Sequence, residues 1–287
     1  MWELLFPAVL NGILLGGVYA LVALGLTLIY GVLHIVNFAH GTLLMIGMFM
    51  VWLLAAKMGI DPYLALPVVT LAMGALGWAL YTGLIGPVSR GEDKMLLLAT
   101  LGVSILFDNG MMVAFSGDTR SIETAHSFST VDIGPALVPV TKLVSFGFAV
   151  VVAGALWAFI ALTETGRAIR AVAKEADGAR LMGIRPARMY AVAFAVGTAC
   201  TGAAACLLLP SFYVNPGVGN VFILIAFTIV VLGGMGSFVG AAFGALLVGV
   251  IESLGGLFLG ESLGPILVPL TFIAVLLFRP NGLFGRS

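Results

Sequence analysis

Charged residues are scarce in this chain of 287 residues, which holds 13 Lys and Arg and 13 Asp and Glu. They make up 9% of the sequence, whereas a soluble domain carries roughly a quarter. This deficit, together with a hydrophobic content of 61%, excludes a soluble globular protein and indicates an integral membrane protein that contacts the lipid bilayer. Because the formal net charge is zero, the composition does not indicate nucleic-acid binding.

Residues for metal binding or catalysis are also few. Cys200 and Cys206 lie six residues apart on one predicted helix, so their Cα atoms would be about 9 Å apart, too far for a disulfide. His34 and His40 do not share a helical face, and neither HExxH nor G-x-x-x-x-G-K-[ST] occurs. We therefore predict no metal, no cofactor and no enzymatic activity, and any use of ATP would require another chain.

Long apolar stretches cover most of the chain, and each is close to the 20 or so residues that span a bilayer. They lie near residues 5–30, 41–56, 62–86, 95–115, 138–162, 187–210, 217–234, 237–258 and 264–279. The stretches at 41–56 and 217–234 are short and can belong to broken or re-entrant helices. The prediction is an all-α polytopic membrane protein with eight or nine spans.

The largest polar segment is residues 164–188, which contains six of the 13 basic residues. Gly183 can end a helix there, and Pro186 suits the first turn of the next. Helical spacing places several small or apolar residues on one face, namely Ile169, Val172, Ala173, Ala176 and Ala179. We interpret the segment as an amphipathic helix that docks a soluble partner. The alternative is a charged loop that only sets the membrane topology.

The distribution of basic residues predicts an orientation. If residues 164–188 face the cytoplasm, alternation of the spans places ten basic residues inside and three outside, the latter being Lys57, Arg120 and Lys142. This asymmetry agrees with the positive-inside rule. It places the C-terminus in the cytoplasm and, with nine spans, the N-terminus outside.

Two polar interruptions are candidates for a transport path. Asn37 and His40 interrupt the apolar run at 30–41, either as a broken helix beside the path or as a cytoplasmic turn between two spans. Asn215 lies in the Pro- and Gly-rich turn at 210–220, where it can line a pore.

Two carboxylates, Asp108 and Glu252, lie within or near apolar helices. Carboxylates at membrane depth are often functional, but both can also be placed near helix ends, where water would hydrate them.

Four stretches resemble, in chain order, the branched-chain amino-acid ABC transporter permeases, in particular the smaller of their two permease types. The first is GGVYALVALGLTLIYGVLHIVNFAHGTLLMIG at 16–47, whose Asn-Phe-Ala-His-Gly run is characteristic. The second, GRAIRAVAKEADGARLMGIRPARMYAVAFAVGTACTGAAACLL at 166–208, is similar to the family's coupling segment and the helix that follows it. The others are GGMGSFVGAAFGALLVGVIES at 233–253 and FRPNGLFG at 278–285.

The resemblance implies a single permease domain over residues 1–287, in the inner membrane of a bacterium, with a periplasmic N-terminus. It implies half of a path for branched-chain or other hydrophobic amino acids, or for related small amides, urea or aromatic acids. The expected partners are a second related permease, two cytoplasmic ATP-binding subunits and a periplasmic substrate-binding protein.

Glu175, Ala176 and Gly183 fit the family's coupling motif loosely, because Asp177 replaces its second alanine and the glycine lies farther along. With these three residues, the apolar face of Ile169, Val172 and Ala173 completes the predicted ATPase-coupling site, whereas Asn37, His40 and Asn215 are the predicted substrate path.

Two other functions are compatible with the apolar composition. A self-sufficient channel or secondary transporter for a small polar solute would work without ATPases, and it would not need a basic amphipathic segment. A membrane-embedded enzyme would need a converging polar cluster near the interface, and the sequence contains none.

Overall fold

The computed structural model describes residues 2–88, 93–124, 129–260, 263–279 and 282–284. In these ranges, seven helices are long and apolar enough to cross a membrane, and two shorter apolar helices accompany them. This confirms the prediction of an all-α polytopic membrane protein. Each of the nine predicted apolar stretches corresponds to one of these helices, with ends that differ by a few residues.

The elements follow one another in a simple order. The chain begins with α1 (Trp2–Leu33), α2 (Ala39–Met58) and α3 (Pro62–Leu80), which continues through a π-helical turn (Tyr81–Ile85) into α4 (Gly86–Val88), and then α5 (Asp93–Phe115). Next come strands β1 (Thr130–Ile133) and β2 (Ala136–Pro139) and helices α6 (Val140–Leu162), α7 (Glu164–Lys174) and α8 (Ala176–Leu181). The last elements are α9 (Pro186–Leu208), α10 (Val218–Gly233), α11 (Phe238–Leu259), a 3-10 turn (Gly264–Ile266) and α12 (Leu267–Phe278).

Helix α1 is the centre of the bundle. It packs against α6, α9, α10 and α11, and most of its second half is buried. Gly12 and Gly16 bring its backbone against α11, where a Cβ atom at Gly16 would lie 2.6 Å from the carbonyl oxygen of Ala245. Small residues spaced by four allow such close approach in lipid.

A short β-hairpin connects α5 to α6 in this otherwise helical fold. β1 and β2 pair antiparallel around a turn in which Gly134 has a positive φ of 60°. Ala136 and Val138 alternate inward and are buried against Leu14 of α1. The period of two in this short segment gives it one apolar face, which α1 covers.

The two ends of the bundle differ in charge. We call the end that carries α7 and α8 the basic end. Residues 81–87 border a cavity there together with Arg180 and Pro186, and the backbone NH of Leu283 donates to the carbonyl of Leu232 where α10 finishes. The basic end therefore contains α7 and α8, the residues just before residue 89 and the residues near the C-terminus.

Candidate functional site

The first candidate site is the break between α1 and α2. α1 ends at Leu33, His34 has a positive φ of 55°, and no helix forms until Ala39. Asn37 organises the restart: its Oδ1 accepts a hydrogen bond from the backbone NH of Ala39 at 3.1 Å. An asparagine side chain that accepts from a free NH at a helix start stabilises the first turn.

The restart lies inside the bundle. Nε2 of His40 donates to the carbonyl oxygen of Val22 on α1 at 2.9 Å. Val22 precedes the end of α1 by eleven residues, which corresponds to about 16 Å of helix. The hydrocarbon core is about 30 Å thick, so α2 begins at mid-depth. This position favours a helix that restarts inside the bundle over a turn at the membrane surface, the alternative that the sequence left open.

Asn37 and His40 are completely buried. Within the described part of the chain, Nδ2 of Asn37 and Nδ1 of His40 have no hydrogen-bond partner. In this conformation both side chains are enclosed by protein and bond to backbone atoms around the helix break. Neither side chain lines an open path. Their predicted role as substrate-path residues stays a prediction.

A second helix begins at the same depth. The first turns of α2 and α10 meet at Gly41 and Gly219, where a Cβ atom on Gly219 would lie 2.8 Å from the carbonyl oxygen of Gly41. Only glycine allows this approach of two backbones. The two apolar stretches that were too short for ordinary spans are thus the two helices that start inside the bundle.

Asn215 lies in the turn that leads to α10. Its Oδ1 accepts from the backbone NH of Gly217 at 2.9 Å, so the side chain shapes the turn. Val214, just before it, exchanges backbone hydrogen bonds of 2.8 and 2.9 Å with Arg120, at the end of the bundle opposite the basic end. Asn215 is half-buried there and is separate from Asn37 and His40, and a pore-lining role for it also stays a prediction.

A polar network connects α5 to the first turn of α2. Oγ1 of Thr42 donates to Oδ1 of Asp108 at 2.9 Å and lies 2.7 Å from Oγ of Ser104. Thr100 lies on α5 four residues before Ser104, and its Oγ1 accepts a hydrogen bond from the backbone NH of Phe38 at 3.4 Å. The sequence drew attention to Asp108 alone. The spacing of four between Thr100, Ser104 and Asp108 was the signal for the whole network, because it places them on one helical face.

Glu252 has a partner in α1. The hydroxyl of Tyr19 donates to its Oε1 at 3.3 Å. Glu252 also borders a cavity of about 540 Å³ that Glu3, Asn11 and Lys142 help to line. The carboxylate is therefore neither lipid-exposed nor far from other polar groups.

The basic segment differs from its predicted form. Instead of one amphipathic helix, α7 and α8 are separated at Glu175, whose backbone is extended with φ −159° and ψ 101°. On an unbroken helix, Ala179 would be rotated about 80° away from Ile169, given 3.6 residues per turn. The break lets both side chains be buried.

The apolar face of α7 is occupied by this chain itself. Ile169 packs in a cluster with Leu28 of α1, Ile160 of α6 and Ala193 of α9, and Val172 is equally buried. Ala173 is half-buried against the same cluster. Ile169 and Val172 are thus covered by their own chain rather than exposed for a partner, and their predicted coupling role stays a prediction.

Polar contacts fix α7 to the end of α6. Arg170 donates to the carbonyl oxygens of Ile160 and Ala161, which belong to the last helical turn and lack partners within the helix. Oγ1 of Thr163 accepts from the NH of Gly166 at 3.0 Å and begins α7. The segment is thus a rigid extension of α6.

The exposed surface of the basic segment lies at the end of α8. Leu181 and Met182 are 89% and 82% exposed, directly before Gly183, which has a positive φ of 82°. Glu175 is exposed and Ala176 half-buried. Pro186 is the first residue of α9, as predicted. Sequence reasoning missed Leu181 and Met182, although two large apolar residues before a glycine in a basic segment were the signal.

Comparison with known proteins agrees with this architecture. Residues 8–278 match the family described as branched-chain amino acid transport system, permease component. The chain is 32% identical to the high-affinity branched-chain amino acid transport system permease protein BraD of Pseudomonas aeruginosa and to LivH, of the same description, of Escherichia coli K12; each alignment covers 96% of this chain and 94% of the relative.

The similarity extends to an archaeon. The probable branched-chain amino acid transport permease protein LivH of Methanocaldococcus jannaschii is 27% identical over 96% of this chain and 91% of its own length. No solved structure matches the chain significantly. The matches and the apolar helices together describe a multi-pass inner-membrane transport component rather than an enzyme. The chain belongs to the family of branched-chain amino acid transport system permease components.

Proposed function

We propose that this chain is one permease subunit of an ABC importer for branched-chain or other hydrophobic amino acids. As a single permease domain over residues 1–287, it pairs with a second related permease to enclose the path. Two cytoplasmic ATP-binding subunits dock at the basic end, and a periplasmic binding protein delivers the substrate at the opposite end. The substrate class is that of the relatives, which are named for branched-chain amino acids.

The observation that carries the proposal is the pair Leu181 and Met182. They are large, apolar and almost fully exposed on a short helix that otherwise carries charges. Such residues suit a partner groove, because burying them on docking is favourable. The nearby ion pair between Arg180 and Asp177 is exposed, so it contributes little to stability and remains available at the rim of the contact.

The orientation is supported by the distribution of charge between the two ends. The basic end carries the six basic residues of 164–188 and Arg279 near the C-terminus. Lys57, Arg120 and Lys142 lie toward the opposite end. By the positive-inside rule the basic end is cytoplasmic, which places the C-terminus in the cytoplasm and the N-terminus in the periplasm.

The rigid attachment of α7 supplies a mechanism. When the ATP-binding subunits close, they push on α8. The buried face of α7 and the bonds of Arg170 pass this motion to α1, α6 and α9. Of these helices, α9 packs against α2, and Val22 of α1 accepts a hydrogen bond from the first turn of α2. A tilt of α6 relative to α1 and α9 therefore changes access to the break. Binding and hydrolysis of ATP bias this two-state element, and the permease itself carries out no covalent chemistry.

The test is recovery of the ATP-binding subunits with a tagged permease, together with uptake of leucine in cells that express the whole system. Met182→Asp should reduce recovery and uptake at least tenfold. Met58→Asp, at another exposed methionine that lies toward the opposite end, is the matched control and should retain both. Normal recovery and uptake with Met182→Asp would overturn this docking site.

A further inference from the structure

Asp108 is an unusual residue for the outer surface of a membrane helix. It lies seven residues before the end of α5, about 10 Å from that end along the helix, and it bonds to the first turn of α2 at mid-depth. Its side chain is half-exposed, and the neighbouring Asn109 is exposed. On α10, which also packs against α2, Asn220 is exposed next to Gly219, which contacts Gly41.

Among the described residues, no Lys, Arg or His forms an ion pair with this carboxylate. The two ion pairs formed by the described residues both lie in the basic segment, and neither includes Asp108. A charged or strongly polar group at this depth does not face hydrocarbon; it faces protein or a water-filled path. The helix end, where water could hydrate it, is too far away.

The hydroxyl groups leave part of the carboxylate free. A threonine hydroxyl has one hydrogen to donate. When Ser104 donates to Thr42 at 2.7 Å, Thr42 donates to Oδ1 of Asp108 at 2.9 Å. The Ser104 hydroxyl can instead donate to Oδ2 at 3.4 Å. In either case the two hydroxyl groups supply at most two hydrogen bonds, whereas an ionised carboxylate offers about four acceptor positions. Asp108 therefore keeps acceptor positions for a donor from outside the network.

The surroundings of Asp108 are apolar. Leu101, Ile105 and Met112 are exposed and share its stripe on α5, at spacings of seven, three and four residues. Phe38, whose backbone bonds to Thr100 of the same helix, is also partly exposed. One acceptor within an apolar stripe fits a ligand that has a cationic NH group and a hydrocarbon side chain.

We propose that Asp108 lines the translocation path and accepts a hydrogen bond from the α-ammonium group of the passing amino acid. The inference rests on the proposed function for the identity of the ligand. Thr42 joins this contact to the start of α2, so the helix break holds the carboxylate in place. The apolar stripe beside it accommodates the substrate side chain without selecting one hydrocarbon shape.

The first experiment asks whether residue 108 faces water. Asp108→Cys is introduced into the complete transporter and treated in membranes with a charged, lipid-insoluble thiol reagent. The native Cys200 and Cys206 are buried. Leu106→Cys is the matched control, because Leu106 is exposed on the other side of α5. Labelling of the residue-108 cysteine should be at least tenfold faster and should be slowed by leucine. Equal, slow labelling at both positions would overturn the inference.

The second experiment tests the charge. Asp108→Asn should lower leucine uptake at least tenfold while recovery of the ATP-binding subunits stays normal, and Asp108→Glu should retain more uptake than the asparagine variant. Wild-type uptake by Asp108→Asn would contradict the ammonium contact. If the wild-type transporter takes up no branched-chain amino acid, the proposed substrate class fails, whereas the labelling experiment still decides whether the position faces water.

Discussion

The break at residues 34–38 and the basic segment at 164–188 both interrupt apolar sequence, but they use polarity in opposite ways. At the break, Asn37 and His40 are buried and bond to backbone atoms of this chain. In the basic segment the charged side chains are outside, Ile169 and Val172 are buried, and two large apolar residues are exposed at the tip.

The different placement of polar groups in the two interruptions follows from their surroundings. A helix that restarts inside a bilayer must satisfy its free backbone groups with protein, because no bulk water is present. A segment in water needs no such help, so its polar groups are free and its apolar residues decide what it contacts. In the proposed transporter, buried polar groups therefore belong to the structural wall of the path, and exposed apolar residues belong to the docking surface.

The largest effect is expected where α2 and α10 start. In Gly41→Val the side chain would collide with the backbone of Gly219. Overpacking of this kind costs about 3 kcal/mol or more when backbone is involved, so the yield of folded protein and its thermal stability should fall sharply. Gly102→Val on α5 is the control, because nothing lies within 4 Å of a Cβ atom there. Similar stability of the two variants would show that the helices do not meet inside the bundle.

A smaller effect on stability is expected to distinguish the buried face of α7 from the exposed end of α8. Ile169→Ala removes a buried side chain, and such changes cost about 2–5 kcal/mol, so the melting temperature of the purified permease should fall. Leu181→Ala should leave the melting temperature unchanged and reduce recovery of the ATP-binding subunits. Asp177→Asn, which breaks only an exposed ion pair, serves as the neutral control. If Leu181→Ala lowered the melting temperature and Ile169→Ala lowered only the recovery of the ATP-binding subunits, Leu181 would have the structural role and Ile169 the docking role.

The smallest stability effect concerns the helix restart. Asn37→Leu removes the acceptor for the Ala39 NH, a contact worth about 1 kcal/mol. Membrane insertion and assembly should persist, while uptake falls because the start of α2 is less well fixed. Absence of Asn37→Leu from the membrane would make the residue essential for folding rather than for transport.

Much of the architecture could be predicted because lipid imposes length and polarity on every span. Hydropathy located the helices, and the two stretches that were too short as spans are the two that start at mid-depth. Whether Asn37 and His40 lie inside the bundle or at its surface depends on how far residues 34–38 re-enter the bundle. The sequence contains no measure of that distance. Periodicity correctly grouped Ile169 with Val172, but an apolar helix face does not state whether its own chain or a partner covers it.

The polar network on α5 shows the same limit. Thr100, Ser104 and Asp108 have a readable spacing, yet hydroxyl groups are frequent in membrane helices and often bond to their own backbone, as Thr228 does. Only the position of Thr42 on the neighbouring helix identifies the network. Local spacing predicts a face, and tertiary packing decides its partner.

The most direct test of this account is a comparison of crosslinking at two positions of the basic segment in the assembled transporter. Cysteines replace Met182, at the exposed tip, or Val172, on the buried face, and a short bifunctional maleimide is added to membranes. The ATP-binding subunit carries a cysteine introduced on its permease-facing surface, so that the reagent can form one thioether with each protein. The account predicts a covalent adduct between the two subunits from Met182→Cys and none from Val172→Cys. An adduct from Val172→Cys without one from Met182→Cys would contradict it.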